Sequence, residues 1–342
     1  MRRPTVHDVA RTAKVSLATV DRVLNGREGV RPSTQTRVQA AIEALGFERD
    51  ISAANLSKKR VYRFHFVLPD GPNSFMRNLD AEVRRHAAFA LRDRTEISVT
   101  VVPPFDTRAL ATALNGIAGT EPDGVAVVAS EASEVREAVA GLKARGIHVV
   151  TLVSDLPLSA RSHFVGIDNV SAGRTAAALL GRFCRARPGK VVIVSGSMLV
   201  RDHVERRLGF EQVMASEFPE LELLQPVEGR DQSELVEQKM RYVIQNYADI
   251  TGVYNLGGGN HGLSRALEAI PAGTRPRVVA HELTTQSRLA LQDGKFDAIL
   301  HQDIEREVAA VTALLRAFCD GSEIAPGEGR VRIEIFMRDN LP

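Results

Sequence analysis

The chain has 342 residues, 44% hydrophobic and 25% charged, which excludes a disordered or fibrous protein and leaves room for two or three domains. No window reaches the ~18 consecutive apolar residues of a membrane helix, and "MRRPTVHDVA" lacks the apolar run of a secretory signal, so a cytoplasmic protein without a membrane partner is expected. The net charge of +2 hides an asymmetry: residues 1–60 hold 12 Lys/Arg against 6 Asp/Glu, +6, and the remaining 32 basic and 36 acidic residues give −4. A basic head on an acidic body points to a polyanion partner for the head alone. Cys184 and Cys319 stand far apart and outside any CxxC pattern, so neither a disulfide framework nor a zinc site is indicated, and no cofactor is expected.

In chain order, Thr5 with Asp8 has capping-box spacing and opens a helix with Val6, Val9, Ala10 and Ala13 on one face. Lys14 and Val15 make a tight connection. Ser16 caps a second helix with Val20, Val23 and Leu24 inward, and Asn25-Gly26 ends it. Pro32 and Ser33 start a third, with Val38, Ile42 and Leu45 inward and Gly46 as its stop. Two short helices joined by a few residues form a helix-turn-helix, whose second helix can lie in a DNA major groove.

The ordered run "TVHDVARTAKVSLATVDRVLNGREGV…T…RV…AI…LGF" resembles the head of LacI/GalR-type transcription regulators, without a gap from residue 5 to about 56. The resemblance implies a recognition helix with Leu17, Ala18 and Arg22 toward bases. Thr5, Ser16, Thr19, Asn25 and Thr34 would hold phosphates. The chemistry agrees: the Arg22 fork suits guanine, Leu17 and Ala18 offer only apolar contact, and Arg27 and Arg31 add attraction to phosphate. Asp21 departs from the pattern, which usually has a small hydroxyl there. The segment "SAANLSKKR", residues 52–60, is too short for a stable isolated helix and resembles the family's hinge helix, with Leu56 as a minor-groove wedge.

Beyond residue 61 short apolar runs alternate with amphipathic segments. Strands are expected at 64–68, 97–102, 125–129, 149–153, 164–167, 191–195, 252–256, 278–281 and 298–301, with helices such as 79–91, 134–145 and 172–185 between them. This rhythm predicts an α/β body of doubly wound parallel sheets. The strand ends carry Pro69-Asp70, Ser130-Glu131, Ser154-Asp155, Ser195, Asn255, His281-Glu282 and Gln302-Asp303, where ligands of open α/β sheets bind. The body is similar to the periplasmic sugar-binding fold (binding protein type I-like) that serves as effector domain in the same family. Its markers, in order, include "PNSFM", "DGVAVVASE", "VVTLVSD", "VGIDN", "ERRLGF" and "HELTTQSRLALQDGKFDAILHQD".

That similarity implies a helix-turn-helix domain at 1–48, a hinge at 49–60 and an effector domain at 61–342. Lobe 1 would span about 61–159 and 303–325, lobe 2 about 160–302 and 326–342. It implies ligand-binding roles for Asn73, Phe75, Glu131, Asp155, Arg206, Asn255, Glu282 and Gln302, with Phe75 as stacking platform. The expected protein is a homodimer or higher oligomer, a repressor on double-stranded DNA with a near-palindromic operator, controlled by a sugar or polyol. The alternative is an α/β enzyme on a sugar-like substrate with an appended DNA module. His203, His261, His281 and His301 could serve it, yet none has HxxxH or HExxH spacing and no GxSxG elbow is present. The loop "LGGGNHG" lacks both P-loop and dinucleotide-binding spacing.

Overall fold

The computed structural model describes residues 4–24, 28–47, 60–117, 121–198 and 200–342. It divides the chain into two compact units, 1–60 and 61–342.

In the first unit, helix α1 (Val6–Ala13) starts where the amide and hydroxyl of Thr5 both donate to Asp8 Oδ2, at 2.9 and 2.7 Å. It ends where Lys14 turns left-handed at φ 53° and returns its N–H to the last carbonyls. Helix α2 (Leu17–Leu24) begins with Ser16 Oγ accepting from the Thr19 amide at 3.2 Å. Helix α3 (Pro32–Leu45) has proline in its first turn and stops at Gly46, also left-handed. Val9, Ala10, Ala13, Val20, Val38 and Ala41 close a miniature core, and Val15, Val23, Leu24, Ile42, Leu45 and Phe47 pack around it. A core of this size leaves little to spare, so each inward position is constrained.

The second unit begins with strand β1 (Tyr62–Pro69), helix α4 (Ser74–Ala90), β2 (Thr95–Val102), α5 (Thr107–Gly116), β3 (Gly124–Val127), α6 (Ser133–Ala144), β4 (His148–Leu152) and β5 (His163–Val165). The strands form one parallel sheet in the order β2-β1-β3-β4-β5. There follow α7 (Asn169–Cys184), β6 (Lys190–Ser195), α8 (Arg201–Glu217), β7 (Glu222–Leu223), β8 (Val227–Glu228), α9 (Ser233–Asn246), β9 (Ile250–Asn255), α10 (Asn260–Glu268), β10 (Arg277–His281), α11 (Thr285–Gln292) and β11 (Ala298–Gln302). Helix α12 (Ile304–Asp320) then returns to the first sheet, where Leu315 covers Gly124, and β12 (Ile333–Phe336) pairs antiparallel with β11. The second sheet runs β12-β11-β10-β9-β6-β7, with β8 also against β6.

Two features differ from the sequence reading. Strand β5 pairs in parallel with β4, so the chain leaves the first sheet after Val165, not near residue 160. A three-residue strand leaves no periodicity from which to fix that crossing. Strand β12 and the two-residue strands β7 and β8 were not expected; β12 lies at the sheet edge, only partly buried and carrying Glu334, so it shows no apolar run.

Helices α7 and α8 touch backbone to backbone. A Cβ on Gly173 would lie 1.9 Å from the Arg206 carbonyl oxygen, and one on Gly209 would lie 2.1 Å from that of Val170. No rotamer change can relieve a clash with main chain. Gly173→Ala is expected to cost about 2 kcal/mol or more, read as a lower urea midpoint at unchanged slope; an unchanged midpoint would show that the crossing is not tight.

Candidate functional site

On the head, α2 buries Val20 and turns Leu17, Ala18, Asp21 and Arg22 outward. This is the geometry expected of a helix that reads a groove, because one face is spent on the core and the other presents side chains. Arg31 is exposed just before α3, and Thr34 is half-buried in its first turn. The Ser16 and Thr19 hydroxyls lie 2.9 Å apart, while the Thr5 hydroxyl donates to Asp8, so local caps hold these groups in place. Asn25 and Leu56 lie outside the described residues.

In the body, the carboxyl ends of β1, β3, β4, β10 and β11 open on one cleft. The first-sheet side is lined by Pro69, Asp70, Asn73, Phe75, Phe105, Ser130 and Ser154; the second-sheet side by Asp202, His203, Arg206, Asp231, Asn260, His281, Glu282 and Gln302. Backbone strain gathers here: Phe105 (φ 61°), Val153 (63°), Arg230 (49°), Asp231 (58°) and Glu282 (70°) all line the cleft in the left-handed region. Each costs on the order of 1 kcal/mol or more and persists only where surrounding structure fixes it.

Arg206 is the centre of the second wall. It is 3% exposed, with Nε donating to Asn169 Oδ1 (2.8 Å), Nη1 to the Leu256 carbonyl (2.9 Å) and Nη2 standing 3.9 Å from Glu282 Oε1. Glu282 in turn accepts from Gln302 Nε2 (2.7 Å), and its Oε2 lies 3.2 Å from His301 Nδ1. Burial alone would lower the His301 pKa, but the hydrogen bond and charge of Glu282 outweigh it and raise the value. Behind them Phe210 stacks on Tyr254 at 4.4 Å, and the Tyr254 hydroxyl meets His281 Nε2 at 2.8 Å. Burial raises the tyrosine pKa and, with Arg206 and His203 nearby, pushes the histidine well below its ordinary value. A neutral imidazole therefore accepts from the tyrosine at Nε2 and carries its proton on Nδ1, the assignment that leaves fewest groups unpaired.

Among the described residues, five buried polar atoms of the lining have no hydrogen-bond partner: Ser154 Oγ, Asp202 Oδ1, Arg206 Nη2, His281 Nδ1 and Gln302 Oε1. Buried groups of this kind are rare and costly, and five around one cavity form a donor-and-acceptor set suited to a hydroxyl-rich ligand. The "LGGGN" turn is filled from within, since Gly258 donates its amide to Asp231 Oδ1 at 2.8 Å and Asn255 spends its side chain on Gly257, Gly258 and Asn260.

Residues 5–50 match the model of bacterial regulatory proteins of the lacI family, and residues 64–323 match the periplasmic binding protein domain. The chain belongs to the family of that periplasmic binding protein domain, and its head alone matches the lacI family model. The chain is 43% identical over 75 residues to catabolite control protein A of Priestia megaterium, covering 22% of this chain and 23% of that protein. It is 41% identical over 75 residues to the HTH-type transcriptional regulator pepR1 of Lactobacillus delbrueckii subsp. lactis, 22% of each. The matched stretch thus spans less than a quarter of these relatives. The fold is shared with GanP, a glucose-galactose binding protein from Geobacillus stearothermophilus (TM-score 0.74, 19% identity, 83% of this chain and 99% of that one). A putative LacI transcriptional regulator from Bacteroides fragilis shares it too (0.73, 16%, 82% and 98%).

Of the ligand residues that the family resemblance implies, Asn73, Phe75, Arg206, Glu282 and Gln302 line the cleft. Asn73 also caps α4 through Oδ1 and reaches Asp231 Oδ2 through Nδ2 at 2.7 Å. Glu131, Asp155 and Asn255 lie outside the lining. Glu131 turns to Arg136 (2.6 Å) and Arg201 (3.6 Å); Asp155 takes Arg161, Thr151 and the Leu156 amide. Their preceding serines, Ser130 and Ser154, line the cleft instead. Asp202, Asp231 and Phe105 carry no signal in the sequence: the first lies within a helix and the others in loops away from the expected strand ends. Asn260 had a trace in "LGGGNHG".

Close to this network but outside the lining, Glu307 is wholly buried with neither carboxylate oxygen partnered, and burial together with Glu282 raises its pKa well above normal. A raised carboxyl stabilises fully below the unfolded value of about 4.5 and loses that contribution as pH rises through the folded value. Glu307→Gln, which cannot ionise, should therefore gain stability relative to the parent between pH 5 and pH 8. Urea unfolding of both at the two pH values checks it; equal differences at both would refute it.

Proposed function

We propose that this chain is a sequence-specific DNA-binding transcription regulator, a homodimeric repressor in the cytoplasm, whose hold on a near-palindromic operator is set by a sugar or polyol in the body cleft. The observation that carries the effector half is the convergence of five unpartnered buried polar atoms on one cavity. The DNA half rests on the outward face of α2 in a basic head that matches the lacI family model. Each head can read only a half-site, so a dimer matches a two-fold operator. GanP, a glucose-galactose binding protein, supports the ligand class by fold alone. Leu56 acts as the wedge at a kinked minor-groove step, and closure of the cleft changes the spacing of the two heads. Asn25, Thr5, Ser16, Thr19 and Thr34 position phosphates, and Arg31 adds attraction.

Two measurements test this. Arg22→Ala is expected to cost about 1 to 3 kcal/mol of operator affinity and to relax preference at one symmetric base-pair position, whereas Arg31→Ala should weaken all sequences alike and flatten the salt slope by about one charge. A uniform loss across operator variants for Arg22→Ala would remove it as base reader.

For the cleft, Glu282→Ala should abolish the rise in melting temperature that a binding sugar or polyol gives the full chain while leaving ligand-free operator affinity near the parent value. Fluorescence anisotropy with operator DNA and thermal melts, run on the same preparation, separate the two. Loss of DNA binding in the ligand-free variant would sink the two-site scheme.

A further inference from the structure

The cleft is unevenly charged. Asp202, Asp231 and Glu282 stand on one wall and Asp70 and Asp106 on the other, against two arginines, Arg206 and Arg230. Arg230 is exposed. Arg206 has little left to offer an anion: two of its nitrogens are spent on Asn169 and Leu256, and the third faces Glu282 at 3.9 Å. Its charge is balanced from within the wall.

At two corners of the second wall a carboxylate already takes the position an anion would need. Gly258 gives its N–H to Asp231 Oδ1, and a Cβ on Gly196 would lie 2.2 Å from that same oxygen, so the glycines of this corner make room for Asp231. Asp202 sits in the first turn of the 17-residue helix α8, the end that attracts negative charge, and is itself 5% exposed with Oδ1 unpartnered. A helix N-terminus already holding a buried carboxylate repels a second anion.

The unpartnered atoms agree. Asp202 Oδ1 and Gln302 Oε1 can only accept, His281 Nδ1–H and Arg206 Nη2 can only donate, and Ser154 Oγ does either. Hydroxyls satisfy both kinds. A phosphate dianion only accepts, so beside Asp202 it would leave that oxygen without a donor and set two negative charges together in a buried space.

We propose that the cleft selects an uncharged polyhydroxy ligand and refuses the phosphorylated or carboxylated form of the same compound, with Asp202 as the residue that enforces the refusal. This rests on the reading of the cleft as the effector site and names the charge class of what enters it.

The test uses the full chain and matched pairs of probes: glucose, galactose, arabinose and myo-inositol against their monophosphates, followed by thermal melts and calorimetry. At least one free member should raise the melting temperature, and its phosphorylated partner should bind about tenfold more weakly or worse. Asp202→Asn keeps the shape of the side chain and one acceptor, and should narrow that ratio by strengthening the phosphorylated partner. Tighter or equal binding of a phosphorylated member to the parent protein overturns the charge proposal and leaves the effector-site reading standing; this comparison needs no variant. A parent that discriminates while Asp202→Asn, folded by its melt, keeps the full ratio removes Asp202 as the cause. Silence from both members of every pair overturns the sugar-or-polyol reading of the cleft, and the proposal with it.

Discussion

A guanidinium buried as deeply as that of Arg206 must find acceptors from the protein around it, and much of the second lobe is arranged to supply them. Asn169 comes from the start of α7, the Leu256 carbonyl from the end of β9, and Glu282 from the end of β10. Each lies on a different segment, so satisfying one side chain fixes three segments against each other. Leaving a buried charge unpaired costs several kcal/mol, which makes this a strong constraint on how the wall assembles. The close crossing of α7 and α8 serves the same end. Gly173 and Gly209 let the two backbones meet, and Arg206 is carried on α8 at that crossing.

Around this pair the chain maintains a costly surface. Left-handed non-glycine residues border the cavity, five lining atoms lack partners, and Glu307 lies nearby with no hydrogen-bond partner for its carboxylate. Stability alone would select against each of these. Their concentration at one place is the physical signature of a site shaped for something that completes it. Contacts also cross between the first-sheet and second-sheet sides, from Asn73 to Asp231 and from Glu131 to Arg201. Asn73 and Asp231 line the cleft and also join its walls.

Cysteine and histidine chemistry takes a subordinate place. Cys184 is buried against the Thr251 carbonyl, with its thiol pushed up to about 11 mainly by burial, so it behaves as a small core side chain. His281 and His301, candidates for catalysis on the enzyme reading, are tied to Tyr254 and Glu282 and act as hydrogen-bonding parts of the wall.

The sequence by itself determined the head almost completely, since its caps, turns and inward positions are local: Thr5 with Asp8, Ser16 with Thr19, Gly46 at the end of α3. It also determined the parallel βα rhythm of the body, because strands buried on both faces read as apolar runs. From the strand ends it pointed to Asp70, Ser130, Ser154, His281, Glu282 and Gln302 as cleft candidates. Only the tertiary structure decided which of two adjacent strand-end residues faces the ligand space, as with Ser154 and Asp155. That choice turns on a partner, Arg161, and on a backbone kink at Val153 that no periodicity encodes. It alone brought Phe105, Asp202 and Asp231 to the cleft, since their positions come from loops and helix ends packed across long sequence separations. Short-range patterns fix how a segment folds, but the meeting of segments fixes what a cavity contains.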